Sequence, residues 1–299
     1  MYHIALFGEV LADIFPDQIA LGGAPYNATR HLRAFQQHPV LISKVGSDAL
    51  KEQLLTELSR WGIDQSGIQF DAVHPTGQVT VHIENAAHHF KIHPNQAYDY
   101  IETYEATQVT TSINPSLIYF GTLAQRNDVS NSTLNRLLKN SSCPRFLDIN
   151  LRAPWYNKAI IEYSLLNANI VKVSEEELQI VAQLFECRTN NSEDYALFLI
   201  SKFDLTTLFV TCGENGAWAL SSTGEESKVY GQNLESTLVD TVGAGDAFSA
   251  ISILGTLYNW TIEETLNQAN AFAAEICKIR GATPETDDLY MPFIKKLYS

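Results

Sequence analysis

Two short runs of small and acidic residues, each leading into a helical pattern, are where this 299-residue chain could do chemistry. The first reads Asp240-Thr241-Val242-Gly243-Ala244-Gly245-Asp246, after which Phe248, Ile251, Leu254 and Leu257 recur at helical spacing. Residues this small let the backbone N–H groups at a helix start approach an anion, and the helix dipole adds roughly half a positive charge there. A carboxylate beside such a nest, Asp246, could accept the proton of an attacking hydroxyl while the amides hold a transferring phosphoryl group. The same acid also fits a plain helix start, where it complements the dipole, and the run alone leaves both readings open. The second run, Gly22-Gly23-Ala24-Pro25-Tyr26-Asn27, again enters a helix, with Pro25 in the first turn. Asn27 offers a donor and an acceptor, as paired hydroxyls require, and Asp13 upstream can accept two hydroxyl hydrogens. Taken singly, these residues read equally as turn and cap.

Other phosphate-binding patterns are absent. No G-x-x-x-x-G-K-[ST] occurs, and a G-x-G-x-x-G match at Gly243 fails at Phe248. The 34 acidic residues outnumber the 20 basic ones, for a formal charge of −14, which argues against a nucleic-acid partner. Cys143, Cys187, Cys212 and Cys277 are widely spaced, which predicts reduced, mostly buried thiols and no zinc site or disulfide frame. No basic leader precedes the first apolar residues, and no run of about 18 apolar residues occurs, so a cytoplasmic protein without a membrane partner is expected.

The elements that must position these residues follow from hydrophobic periodicity. Ile4–Phe7 and Val40–Val45 read as buried strands, and Ala24–Phe35 and Lys51–Trp61 as helices. Residues 76–101 differ. Val79, Val81 and Ile83 alternate with polar residues, Asn85-Ala86-Ala87 turns the chain, and Phe90 and Ile92 alternate again, giving a hairpin with one wet face. With residues 11–22 it would form a small β-layer, or lid, of about 11–22 and 75–101. Apolar strands then recur at Leu117–Phe120, Arg145–Ile149, Ile170–Val173 and Thr207–Thr211, between helical patterns near 131–139, 157–166, 175–185 and 193–203. Gly216–Val229 looks antiparallel, and helices at Ala244–Tyr258 and Ile262–Ile279 close the chain. The alternation predicts an α/β fold with a mostly parallel sheet between helical layers, as one domain over 1–299 plus the lid. His82, His88, His89 and His93 fall in the lid with mixed strand parity and read as a solvated surface rather than a metal site.

In this order the motifs resemble the ribokinase-like, or PfkB-type, carbohydrate kinases over essentially the whole chain. The resemblance rests on Gly8-Glu9-x-Leu11-x-Asp13, the Gly22 to Asn27 run, Lys44-Val45-Gly46-x-Asp48 and Phe120-Gly121. It continues through Asp148-x-Asn150-x-Arg152, Lys172-x-Ser174-Glu175-Glu176-Glu177, Val210-Thr211-x-Gly213-x-x-Gly216 and the run ending at Asp246. It implies a three-layer α/β/α sandwich with a β-sheet lid, and transfer of the terminal phosphate of ATP to a sugar hydroxyl. Asp246 then matches the catalytic base, and Gly243, Ala244 and Gly245 the anion hole. Asp13, Gly22, Gly23 and Asn27 match sugar contacts, and Arg152 a position near the transferring phosphate. Thr211, Gly213, Gly216 and Asn270 match the nucleotide site. Glu177 matches the acid that organises Mg2+ through water, and Asp240 and Thr241 a monovalent-cation site, which implies activation by K+.

The resemblance places the sugar between lid and sheet and allows a homodimer through the lid. The lid and the Phe120 to Arg126 segment look most like fructokinase-type members, pointing to fructose or a related hexose. Kinases of 2-keto-3-deoxygluconate, ribose or a nucleoside, and a catalytically silent sugar-binding protein, are the alternatives. The chain departs from the pattern at Gln36 (usually glycine), Lys51 and Ile251 (usually small) and Ser174 (usually Asn).

Overall fold

The computed structural model describes residues 1–84 and 87–297, with the side chains of 82–89 outside the description. Its contacts divide the chain into two compact units, Met1–Pro115 with Ala124–Ser142, and Ser116–Leu123 with Cys143–Ser299.

The first unit opens with β1 (His3–Phe7), β2 (Leu11–Ile14), β3 (Ile19–Gly22) and α1 (Ala24–Ala34). It continues through β4 (His38–Gly46), α2 (Ala49–Arg60), β5 (Ile68–Asp71), β6 (Gly77–Glu84) and β7 (Ala87–Ile92). Helices α3 (Thr103–Ile113) and α4 (Asp128–Lys139) complete it. Strands β1, β4 and β5 pair in parallel, and β4 is buried from Pro39 to Gly46, Ser43 and Lys44 included, as a strand covered on both faces is.

The small layer is a separate four-stranded sheet in the order β3-β2-β6-β7. Its register sets Asp13 opposite Ala20 and Val79, and Val79 opposite Ile92, so these four share one face. Val79 and Val81 are buried there, as the alternation predicts. The turn expected at Asn85-Ala86 lies outside the described residues.

The second unit contains β8 (Leu117–Gly121), β9 (Arg145–Asp148), α5 (Lys158–Leu166), β10 (Ile170–Ser174), α6 (Glu175–Leu184) and α7 (Ser192–Phe203). It ends with β11 (Thr207–Thr211), β12 (Gly216–Ser221), β13 (Glu226–Tyr230), α8 (Ala244–Leu257), α9 (Ile262–Ile276) and α10 (Met291–Leu297). Strands β8 to β11 are parallel, and β12 and β13 extend them antiparallel. Helix α8 is buried all round rather than amphipathic, with Ala247, Phe248, Ile251, Ile253 and Leu254 each at most 2% exposed. Each large side chain among them contributes about 1.5–3 kcal/mol on burial. That core fixes the axis of the helix whose start carries Asp246.

Three elements depart from the expectation. Strand β5 and helix α3 are additional, and α10 follows the two closing helices. Helix α3 is rich in Thr and β-branched residues, with Ala106 its one buried side chain, so its helical pattern is faint. The four cysteines are free but only partly buried, less than expected. No helix among the described residues is long and apolar enough to cross a membrane.

Candidate active site

Gly243 is the N-cap of α8, with φ +81°, a left-handed conformation natural to glycine. A Cβ there would also lie 2.8 Å from the Ala282 carbonyl oxygen, so the turn into α8 tolerates no side chain. The Asp240 carboxylate holds this turn from behind, accepting from Val242 N at 3.0 Å and Gly281 N at 3.1 Å. Thr241 is exposed, and Gly243 to Asp246 are partly exposed, so the helix start is open to a ligand. Nearby, burial first and then the Asp240 charge push the Cys277 thiol pKa up.

Below Gly245 lies a group to which sequence reasoning gave no role. The ideal Cβ position of Gly245 is 3.1 Å from Lys172 Nζ, so the missing side chain leaves room for an ammonium under the helix start. Lys172 and Asp148 are register partners on β10 and β9. Nζ is 3.1 Å from Asp148 Oδ1, and Asp148 Oδ2 accepts from Ser249 Oγ at 2.8 Å. Burial works against the charge of Lys172, but the carboxylates of Asp148, Glu177 and Asp246 outweigh it and raise its pKa above the ordinary value. Asp246 and Glu177 are thus brought into the field of one buried cation. The sequence shows a lysine in one strand and an aspartate at the end of another, but their pairing comes only from the neighbouring register of β9 and β10.

Glu177 closes a capping box with Ser174 at the start of α6. The Ser174 hydroxyl accepts from Glu177 N at 3.1 Å, and Glu177 Oε2 accepts from Ser174 N at 2.8 Å. Its other oxygen accepts from Leu151 N at 2.7 Å. Serine in place of the usual asparagine is therefore a competent cap. Among the described residues no group of three or more His, Cys, Asp or Glu side chains is placed to hold a metal ion. With both oxygens engaged by backbone, Glu177 fits a hydrated divalent ion reached through water rather than direct ligation.

The residues assigned to the nucleotide lie at the ends of β11 to β13. Thr211 ends β11, its hydroxyl donating to Val173 O at 3.4 Å. Gly213 has φ +55° and open space at its Cβ position, so this turn presents bare backbone. Gly216 is buried, its Cβ position blocked by β13 backbone at Val229, and is structural rather than open. Asn270 on α9 donates to Tyr230 O at 3.1 Å, tying the helix to β13. Arg152 is exposed and makes no ion pair among the described residues.

In the first unit the structure brings Asp13 to the glycine pair. The ideal Cβ position of Gly22 is 3.3 Å from Asp13 Oδ2, and that of Gly23 is 2.7 Å from Glu9 O, so side chains at either would displace the approach. Asn27 is buried one turn into α1, its N–H donating to Gly23 O at 2.9 Å. Of the lid histidines, His93 Nε2 contacts Thr80 Oγ1 at 2.7 Å, while the side chains of His82, His88 and His89 lie outside the described residues.

Residues 8–288 match the model of the pfkB family of carbohydrate kinases. The chain belongs to that family. An uncharacterized sugar kinase of Pyrococcus horikoshii is 30% identical over 311 residues, 96% of this chain and 94% of its relative. Its ATP-bound crystal structure superposes with a TM-score of 0.83 at 26% identity, covering 98% and 99% of the two chains. Fructokinase-1 of Oryza sativa subsp. japonica is 24% identical, over 94% of this chain and 93% of its own. A Vibrio cholerae O395 fructokinase, solved with fructose, ADP and calcium, shares the fold with a TM-score of 0.81 at 24% identity, covering 97% and 98%. The ribokinase-like α/β fold expected from the motifs is thereby shown. This pfkB kinase is a phosphotransferase that uses ATP and a sugar alcohol group.

Proposed function

We propose that this kinase phosphorylates a hexose, fructose before the others, with Asp246 as general base. The observation that carries the reading is the open start of α8. There a carboxylate, three side-chain-poor residues and the ammonium of Lys172 converge on one spot. Backbone N–H groups at Gly243, Ala244 and Gly245 hold the transferring phosphoryl group, and Asp246 takes the proton of the attacking hydroxyl. Thr211, Gly213 and Asn270 line the nucleotide, and Gly216 shapes the β12–β13 edge behind them. Asp13, Gly22, Gly23 and Asn27 bind and orient the sugar, and the exposed Arg152 meets the phosphate.

Mg2+, when bound with the nucleotide, neutralises the charge that develops on the phosphoryl oxygens, and Glu177 orders its water. Asp240 and Thr241 would hold a monovalent cation, potassium in the first instance, beside the turn that leads into α8. The fructokinases among the relatives favour fructose as acceptor.

The test is ADP release from Mg-ATP over a panel of fructose, ribose, 2-keto-3-deoxygluconate and a nucleoside, with and without potassium. Turnover on fructose at least tenfold above the rest is the expected result. Preference for another acceptor would replace the sugar and keep the kinase.

A further inference from the structure

The run Lys44-Val45-Gly46-x-Asp48 has no role in the chemistry above, yet two of its members, Gly46 and Asp48, converge on one crossing of the chain, and a third, Lys44, holds the returning one. The first crossing is residues 72–76, which leave β5 for β6 of the four-stranded sheet. Asp48, the N-cap of α2, accepts from Thr76 N and from Thr76 Oγ1, both at 2.8 Å. The Thr76 hydroxyl in turn accepts from Gly46 N at 2.9 Å, and Thr76 is 1% exposed. Gly46 is obligatory there, because a Cβ would lie 2.6 Å from Thr76 N and 2.7 Å from His74 O. These hydrogen bonds hold the Asp48 carboxyl below its ordinary pKa although burial opposes them.

The returning crossing is fastened to the same place. Ala97 N donates to Pro75 O at 2.8 Å. The His74 ring stacks on Tyr100 at 3.7 Å with its Nδ1 3.1 Å from Asp71 Oδ2, and Lys44 Nζ donates to Tyr100 O at 3.0 Å. The other two crossings of this unit carry glycines with positive φ instead, +147° at Gly8 and +106° at Gly23.

Three residues beyond Thr76, Val79 of β6 is the register partner of Asp13 on β2. Where β6 starts therefore sets where the Asp13 carboxylate stands, 3.3 Å from the Gly22 Cβ position.

We propose that Asp48 and Thr76 are positioning residues for the acceptor. Their clasp fixes the start of β6, β6 carries β2, and Asp13 is held in place beside Gly22. The proposal rests on the assignment of Asp13 to the acceptor. A displaced Asp13 loses its hydrogen bonds to the acceptor in the ground state and the transition state alike, so the loss falls on KM rather than on kcat.

The experiment compares Thr76→Val and Thr76→Ser with the wild type, using the sugar that the wild type turns over best. Thr76→Val is expected to raise the acceptor KM at least tenfold, with the ATP KM within twofold and kcat within threefold, and Thr76→Ser to restore it. An unchanged acceptor KM, or equal losses for acceptor and ATP, would overturn the proposal. Amide hydrogen exchange reads the clasp without any sugar. Faster exchange at 11–14 and 77–81 in Thr76→Val, reversed in Thr76→Ser, is required, and unchanged exchange there would also overturn it. Asp13→Ala separates the two claims. If it leaves the acceptor KM unchanged, the acceptor assignment fails on its own variant, whatever the Thr76 series shows.

Discussion

At the residue scale, the chemistry proposed for Asp246 depends on a cation that cannot leave. Lys172 is buried against Asp148, and removing one partner of such a pair strands the other charge in a medium that solvates it poorly. Lys172→Met is therefore expected to destabilise the fold by about 3–5 kcal/mol in urea unfolding, and adding Asp148→Asn to recover part of that loss. A single variant within about 1 kcal/mol of the wild type would contradict the buried pair. The glycines and Asp246 were legible from small residues before an apolar run. Lys172 was legible only as a motif letter. Its partnership with Asp148 needs β9 and β10 to be neighbours in a particular register, which no local pattern states. Gly216 was legible as a position, but its structural duty at the β12–β13 edge was not.

At the scale of elements, helix ends show where local chemistry and tertiary context part. Gln36 follows α1, where the family usually has glycine, and the chain still turns left-handed there, with φ +61°. A side chain in that conformation costs about 1 kcal/mol, and Gln36 is exposed, so no packing offsets the strain. Gln36→Gly is expected to raise stability by about 0.5–1 kcal/mol in denaturant titration; a loss of stability would show that the glutamine makes a contact of its own.

The strong elements were read correctly because their periods are clean. The mostly apolar β4 and β10, each interrupted by a single lysine, and the alternating β6 need no context. Helix α3 was missed because Thr and β-branched residues weaken its signal. Strand β5 was missed because four residues, Ile-Gln-Phe-Asp, carry too short a period to separate from a turn. Helix α8 was recognised from one apolar face, Phe248, Ile251, Leu254 and Leu257, and the small residues between them hide that the other faces are covered too.

At the scale of the whole molecule, the family and α/β class followed from the order of many weak motifs rather than from any one. The division into two compact units was not legible, because no linker or change in composition marks it and the second unit takes back residues 116–123 from the middle of the first. The residues proposed for the acceptor all belong to the first unit, and those proposed for phosphate and nucleotide to the second. A formal charge of −14 makes it necessary that a polyanion such as ATP be held by local amides and cations against the overall field.

The role proposed for Asp246 is to move a proton and do little else. Asp246→Asn keeps the size and the helix start while removing the basic oxygen. Calorimetry of sugar and of nucleotide, each measured alone, is paired with ADP release by the same variant. Both ligands are expected to bind within about threefold of the wild type, while turnover falls by roughly 10²–10⁴. Turnover within tenfold of the wild type, with both ligands bound, would contradict the assignment of Asp246 as the base.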